Sequence, residues 1–467
     1  MLNIYRLLTA FVFTAYCLLL TVNCFSQTIA GGGYHSFAVC NDNTAMTWGR
    51  NLSGQLGNGN NSDSNIPVTV SSLTAITAIA GARFHSIALK NDGTVWSWGV
   101  NGSGELGNGT NTPANVPVQV STLTSVTAIT GGLSHSLALK NDSTVWAWGS
   151  NGSGQLGDGT TTNSNVPVQA GSLTAVIAIA GSESHSLVLK NDSTVWAWGS
   201  NADGQLGNGT NISSYVPVPV SSLTAVTAIA RGVNHSAALK SDGTVWAWGL
   251  NYYGTLGNGT NTSSNVPVQV GSLSGVLAIA GGYLHCLALK TDGTVWAWGY
   301  NASGQLGNGT NTSSNVPVQV SSLAAVTAIA AGWDQSLALK NDGTLWACGD
   351  NAYGALGNGT NTSSNVPVQV TGLCQVLEVN EITEPMSVSL YPNPFSDVFS
   401  IIIRRQHVKQ ATITVRNILG EIIFSQQENN SSGVYTNTIT LRNLSRGVYM
   451  LDVVMDGERI VRKAMKQ

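Results

Sequence analysis

The sequence predicts an all-β protein: a seven-bladed β-propeller followed by a small β-sandwich. Three observations carry this reading. A block of 50 residues repeats seven times without drift, opening at Gly31, Gly81, Gly131, Gly181, Arg231, Gly281 and Ala331. Each block holds four short apolar stretches separated by turns, and none sustains a helical period. After Pro385 the repeat stops, and strictly alternating segments such as ATITVR and TNTITLR take over. A unit of this kind cannot bury its own apolar face, so neighbours must stack. Four-stranded units closing into a ring also protect their strand edges.

The chain opens with MLNIYR, whose Arg6 gives a positive end, then the apolar run LLTAFVFTAYCLLLTV and the polar NCFS. Residues 1–26 therefore read as a secretory signal rather than a membrane anchor, because the apolar run is short and a small-residue site follows it. Processing as a lipoprotein at Cys24 fits less well, since Asn23 stands where a small residue is wanted.

Residues 27–380 are the propeller. In the second unit the four stretches are TAITAIAG, HSIALK, VWSWG and VPVQV, here termed strands A to D. NDGT between B and C is a tight hairpin signal. The Gly/Asn-rich NGSGELGNGTNTPAN joins C to D, and its glycines suit positive φ or close backbone approach. Trp96 and Trp98 recur as a pair in most units, which reads as packing between neighbouring blades.

Across these units the pattern G-G-x-x-H-S-x-A-L-K-x-D-G-T-V-W-A-W-G-x-N-x-x-G-Q-L-G resembles the regulator of chromosome condensation repeat. The resemblance covers residues 27–380 and recurs seven times. It implies a seven-bladed propeller. It leaves function open, because the family includes a nucleotide exchange factor, photoreceptors, ubiquitin-ligase modules and a secreted β-lactamase inhibitor.

Residues 381–467 comprise a linker and the sandwich, with MDGER as a hairpin turn. The run Tyr391-Pro392-Asn393-Pro394, Gly420, the later Gly447-Val448-Tyr449 and a basic end with Arg462, Lys463 and Lys466 resemble the C-terminal sorting domain of the type IX (Por) secretion system of Bacteroidetes. The resemblance implies a partner, the outer-membrane secretion machinery, and a place outside the cell or on its surface. Charge changes at the same boundary. Residues 31–380 carry 9 basic and 15 acidic residues, and residues 381–467 carry 10 and 8.

Charged residues make up 9% of the chain and the net charge is −3, with no basic patch suited to nucleic acid. No zinc-binding C-x-x-C, P-loop, G-x-S-x-G or H-E-x-x-H occurs, so no cofactor, metal or catalytic residue is assigned. His35, His85, His135, His185, His235 and His285 share one repeat position, with Gln335 in the seventh unit. On different blades they should not converge on a metal, and each is expected to bond nearby backbone. Asp92, Asp242 and Asp342 in the NDGT turns read as turn formers.

The positions that refuse to repeat are more informative. Before the histidine the pairs are Gly33-Tyr34, Arg83-Phe84, Leu133-Ser134, Glu183-Ser184, Val233-Asn234, Tyr283-Leu284 and Trp333-Asp334. Around the invariant Asn after W-x-W-G stand Arg50, Leu52 and Ser53 in the first unit and Leu250, Tyr252 and Tyr253 in the fifth. Tyr300, Asp350 and Tyr353 belong to the same class. If strands A to D alternate in direction, the A–B and C–D connections share one face of the ring. That face is then rich in Tyr, Trp, Phe and Arg, the composition of protein-recognition anchors.

Cys40 ends strand B of the first unit, and Cys374 lies where a further strand A would begin. Residues 374–380 are therefore expected beside strand B of blade one, with a Cys40–Cys374 disulfide closing the ring, although the N-terminal TIAG competes for that place. The expected molecule is a monomeric surface protein whose A–B/C–D face binds a protein. The alternatives are a carbohydrate ligand, or an enzyme on extracellular polymer, which would need a facing carboxylate pair. Nucleotide exchange on a GTPase conflicts with export, because small GTPases are cytosolic.

Overall fold

The structure is a computed structural model that describes residues 28–373, 387–404, 411–428, 434–442, 444–455 and 458–467. The expected signal at residues 1–26, Cys374 and the expected boundary at residue 380 lie outside the described residues. The chain divides between Cys374 and Gln375 into two compact units.

In the first unit the described residues form seven four-stranded antiparallel sheets, each made of four consecutive strands. Blade two shows the plan: A is Ile76–Gly81, B His85–Lys90, C Val95–Gly99 and D Ala114–Gln119. Gly81 faces Ser86 across A and B, His85 faces Gly99 across B and C, and Trp96 faces Gln119 across C and D. The A strands are innermost, so Gly31, Gly81, Arg231, Gly281 and Ala331 line the axial channel.

The sequence repeats because six of the seven seams between blades use the same Trp-to-carbonyl bond, Cys348 standing in place of the Trp at the seventh. Trp98 is fully buried and its Nε1 donates to the Gln55 carbonyl of the preceding blade at 2.8 Å. Trp148, Trp198 and Trp248 do the same to Glu105, Gln155 and Gln205. The L-G-N turn beneath must be glycine: Gly107 has φ +63°, and a Cβ there would stand 2.7 Å from the Trp148 ring. The first Trp of each pair does a different job. Trp96 is half-buried, donates to Thr94 Oγ1 and lies under the Lys90 ammonium. Asp92 accepts from the Thr94 amide and hydroxyl, as expected of a turn former.

The histidines correct one expectation. Their Nε2 atoms bond not to backbone but to a side chain of the next blade: His35 to Ser86 at 3.1 Å, His85 to Ser136 at 2.8 Å and His135 to Ser186 at 3.0 Å, with His185 and His285 likewise on Ser and His235 on the Cys286 thiol. Each Ser hydroxyl is already committed as donor to a carbonyl, Ser86 to that of Gln55. It must therefore accept from the imidazole, which fixes the Nε2–H tautomer. Nδ1 of His35, His135, His185, His235 and His285 is buried without a partner. Protonation would place a donor there with nothing to receive it. Burial holds the imidazole of His135 down to about 3. Gln335 replaces this link by donating to the carbonyls of Gly32 and His35.

Ring closure corrects another. Strand A of blade one is the N-terminal Ile29–Gly31, paired with Ser36–Ala38 of strand B. It takes the place expected for residues 374–380, which lie outside the described residues. This strand is three residues long where the other A strands have six. The seam between blades seven and one uses the standard bonds: Trp48 Nε1 and Ser36 Oγ both donate to the Ala355 carbonyl at 2.9 Å. Cys40 is disulfide-bonded, while Cys286 and Cys348 are free and buried.

The second unit packs a three-stranded sheet (Ser387–Tyr391, Val398–Arg404, Val434–Thr440) with a four-stranded one (Ile422–Glu428, Ala411–Arg416, Gly447–Met455, Glu458–Lys466). Phe395, Phe399, Ile401, Ile413, Leu451 and Val453 form its core. Asn393 explains much of the Tyr391–Pro394 run. Its Nδ2 donates to the Lys463 carbonyl and its Oδ1 accepts from the Met465 amide, both at 2.8 Å. Tyr449 donates its hydroxyl to the Ser445 carbonyl. Tyr391 is exposed.

Candidate functional site: the A–B/C–D face

The B–C register sets the face. The Arg50 amide donates to the Tyr34 carbonyl at 2.9 Å, and the Asp350 amide to the Asp334 carbonyl at 2.7 Å. Each A–B loop therefore meets the start of its own C–D loop. The residues before each histidine, including Arg83, Leu133, Glu183, Tyr283 and Trp333, surround the mouth of the axis. Tyr34, Phe84, Asp334, Arg50, Tyr300 and Asp350 come next, at the ends of strands B and C. The long C–D loop is held by its invariant Asn. Asn51 Nδ2 donates to the Asn60 and Ser62 carbonyls, and Asn51 Oδ1 accepts from the Leu56 amide.

The variable aromatics are brought together. Tyr34 packs edge-on against Trp333 at 5.4 Å and Tyr353 at 5.5 Å, and stacks loosely with Phe84 at 6.3 Å. Tyr283 stacks on Trp333 at 4.6 Å. The Arg83 guanidinium lies 4.0 Å from the Trp333 ring, and Arg50 lies 4.7 Å from the Tyr353 ring. Tyr252, Tyr253 and Tyr300 make a second group at 4.7–4.8 Å. Burial first, then the charge of Asp334, raises the hydroxyls of both Tyr34 and Tyr300. The result is an arc from blade five through six, seven and one to two. Blades three and four carry Ser134, Ser150, Ser184 and Ser200 at the matching places. Glu183 stands apart on the axis mouth, where burial raises its carboxyl and Arg83 partly offsets this.

Asp334 and Asp350 are directly opposite across strands B and C of blade seven, continuing the Gln335–Gly349 pair. Like charges so placed repel. Burial first, then Asp350, lifts the Asp334 carboxyl to about 6, although Gln305 Nε2 donates to its Oδ1 at 3.0 Å. The register thus sets two candidate acids side by side at the edge of one blade, rather than across a substrate cleft. Both acids were candidates for the face, but the signal was the register: a residue before strand B faces the one after strand C.

Comparison with known proteins agrees with this architecture. The RCC1-like domain matches residues 67–388, and RCC1 repeats match residues 27–55 and 42–89. The secretion system C-terminal sorting domain matches residues 389–467. Human WBSCR16 is similar, at 25% identity and TM-score 0.64, over 70% of this chain and 94% of its own. Yeast RCC1 (Prp20), solved bound to Kap60, aligns at 22% identity and TM-score 0.64 over 75% of this chain and 85% of its own. Prp20p from Saccharomyces cerevisiae, studied for binding to Gsp1p and histones, covers 88% of its own length at the same identity and TM-score. No curated protein sequence matches. The repeat grammar, the seven blades and the matched residues together show that this chain belongs to the RCC1-like family and ends in a secretion system C-terminal sorting domain.

Proposed function

We propose that the protein is an exported, surface-located ring that binds a protein ligand through the aromatic arc of its A–B/C–D face. The arc is the observation that carries this reading. Large aromatics, two arginines and two carboxylates occupy one side of a face whose other side, on blades three and four, carries no aromatic ring at the matching places. Partly buried Tyr, Trp and Arg anchors are the residues that dominate protein interfaces. The sorting domain supports the compartment, and cleavage or retention of that domain decides between release and surface attachment. Nucleotide exchange, suggested by the family, stays incompatible with that compartment.

The ring geometry disfavours a sugar platform. Tyr34, Tyr353, Tyr252 and Tyr253 present edges to one another, and of the arc's rings Tyr252 is the one that reaches 68% exposure. Stacking on a pyranose needs free, flat faces.

The test uses the full chain as bait beside a variant with the arc reset to the residues of blade three: Y34S, F84S, Y283L, Y300S, W333L and Y353S. A defined protein captured by the natural chain and lost from the variant supports the reading. Equal capture, or binding confined to a glycan array, removes it.

A further inference from the structure

We propose that one end of the sorting domain's four-stranded sheet is the surface the secretion machinery grips, by seating Ile418, Leu419 and the apolar side chains beside them in an apolar groove with carboxylates on its rim. This rests on reading residues 389–467 as the export signal, and it does not depend on what the aromatic arc binds. The sheet runs in the order Ile422–Glu428, Ala411–Arg416, Gly447–Met455, Glu458–Lys466. Side chains alternate between its faces. Tyr449, Leu451 and Val453 are buried in the core, so Val448 and Met450 stand on the outer face, each more than a third exposed.

Register collects the outward apolar residues at one end. Ile422 pairs with Arg416, Arg416 with Met450, and Met450 with Lys463. Two residues on, Val448 pairs with Met465. The turn between Arg416 and Ile422 leaves the sheet at this same end and carries Ile418 and Leu419, which are 77% and 79% exposed. That turn is held firmly. Asn417 Oδ1 accepts from the Leu419 and Glu421 amides at 3.0 Å, and Arg416 Nη1 donates to the Gly420 carbonyl at 3.0 Å. Asn417 and Gly420 therefore satisfy the turn, and nothing in its geometry asks for two large aliphatic side chains.

A single exposed leucine is ordinary, but Ile418, Leu419, Ile422, Val448, Met450 and Met465 share one end of one sheet, and such a patch marks a contact surface. The occupant follows from what the domain is for and from its charge. A domain that sorts a chain for export must be read by the export apparatus. Residues 381–467 carry 10 basic and 8 acidic residues. Among the described residues Lys463 makes no ion pair, while Asp452 in the neighbouring row is already held by Arg459 at 2.7 Å. A groove offering apolar walls and a carboxylate to Lys463 completes both halves of the patch. Met450 and Met465 let the surface adapt to those walls.

The full chain would be produced in a Bacteroidetes host that has the secretion system, and its surface and medium fractions compared with the periplasmic fraction. Beside it run I418S/L419S, K463E, a control V398T on the other sheet, and a chain ending at residue 386. I418S/L419S is expected to lower export roughly tenfold, as loss of an interface anchor does, with protein accumulating in the periplasm. K463E should also lower it, and V398T should not. Melting of the purified chains checks folding, and if I418S/L419S melts early, K463E decides. Normal export of the shortened chain would sink the sorting reading itself. Loss on shortening, with normal export of I418S/L419S and K463E, overturns this inference alone. So does a purified chain that dimerises, or sediments with lipid vesicles, through Ile418 and Leu419.

Discussion

Asp334 shows how one residue's chemistry follows from its neighbours. Its folded carboxyl titrates near 6 and an unfolded one near 3.9, so the native state holds the proton more tightly. That favours folding below pH 4. The advantage disappears as pH rises through 6, where the buried charge becomes a cost of at most about 3 kcal/mol. D334N should therefore raise the melting temperature at pH 8 and leave it nearly unchanged at pH 4. If Asp334 also contacts the ligand, the same variant loses binding while gaining stability. A residue that served packing alone would not show that opposition. Denaturant melts at the two pH values, beside a binding curve, would separate the cases.

At the scale of elements, the repeated seam makes two further expectations. The six histidines are neutral in the ring, with His35, His135 and His285 held near 3, against about 6.5 when unfolded. Unfolded imidazoles bind protons first as pH falls. Stability is thus fully present above 6.5 and is lost progressively as pH drops toward 3. Replacing one link with the natural alternative, H135Q, should make the decline of unfolding free energy between pH 6 and 4 shallower by roughly one sixth. An unchanged slope would mean the histidines do not drive acid unfolding.

The other expectation concerns blade seven, where Cys348 stands in place of the second Trp. Its Sγ lies 3.7 Å from the Gln305 carbonyl, and the apolar gap beside it, lined by Leu287, Val320 and Leu337, is only about 10 Å³. C348W should therefore overpack the seam and cost about 1–3 kcal/mol, whereas W148C should cost about 3–5 kcal/mol. Calorimetric melting decides both. A rise with C348W would mean the seam opens to the spacing of the other blades.

For the whole molecule, the vulnerable place is closure. Blade one's inner strand is short and comes from the N-terminus, so little holds the first blade against the seventh beyond the standard seam bonds. The Cys40 disulfide reinforces that blade. With Cys286 and Cys348 free, the expected partner is Cys374, which lies outside the described residues. A non-reducing peptide map should contain the 40–374 cross-link. Reduction, or C40S, should then lower stability by several kcal/mol, on the order of 5 kcal/mol from chain entropy alone. A map without that peptide rejects the pairing.

The sequence by itself determined the period, the strand content, the place where repeat grammar ends and the two families, because each blade solves the same local packing problem with the same letters. It also exposed the residues that break the repeat, Tyr34, Arg83, Tyr283 and Trp333 among them. Only the tertiary structure decided what those exceptions do together. Residues 300 positions apart, such as Tyr34 and Trp333, touch because the ring closes, and closure is a long-range event that local pattern does not encode. The same holds for Arg231, an isolated exception in sequence, which becomes a cation across the axis once the inner strands converge. It holds too for Asp334 and Asp350, which face each other through the register of two strands. Pattern specifies the blades, while the face and the channel exist only where seven of them meet.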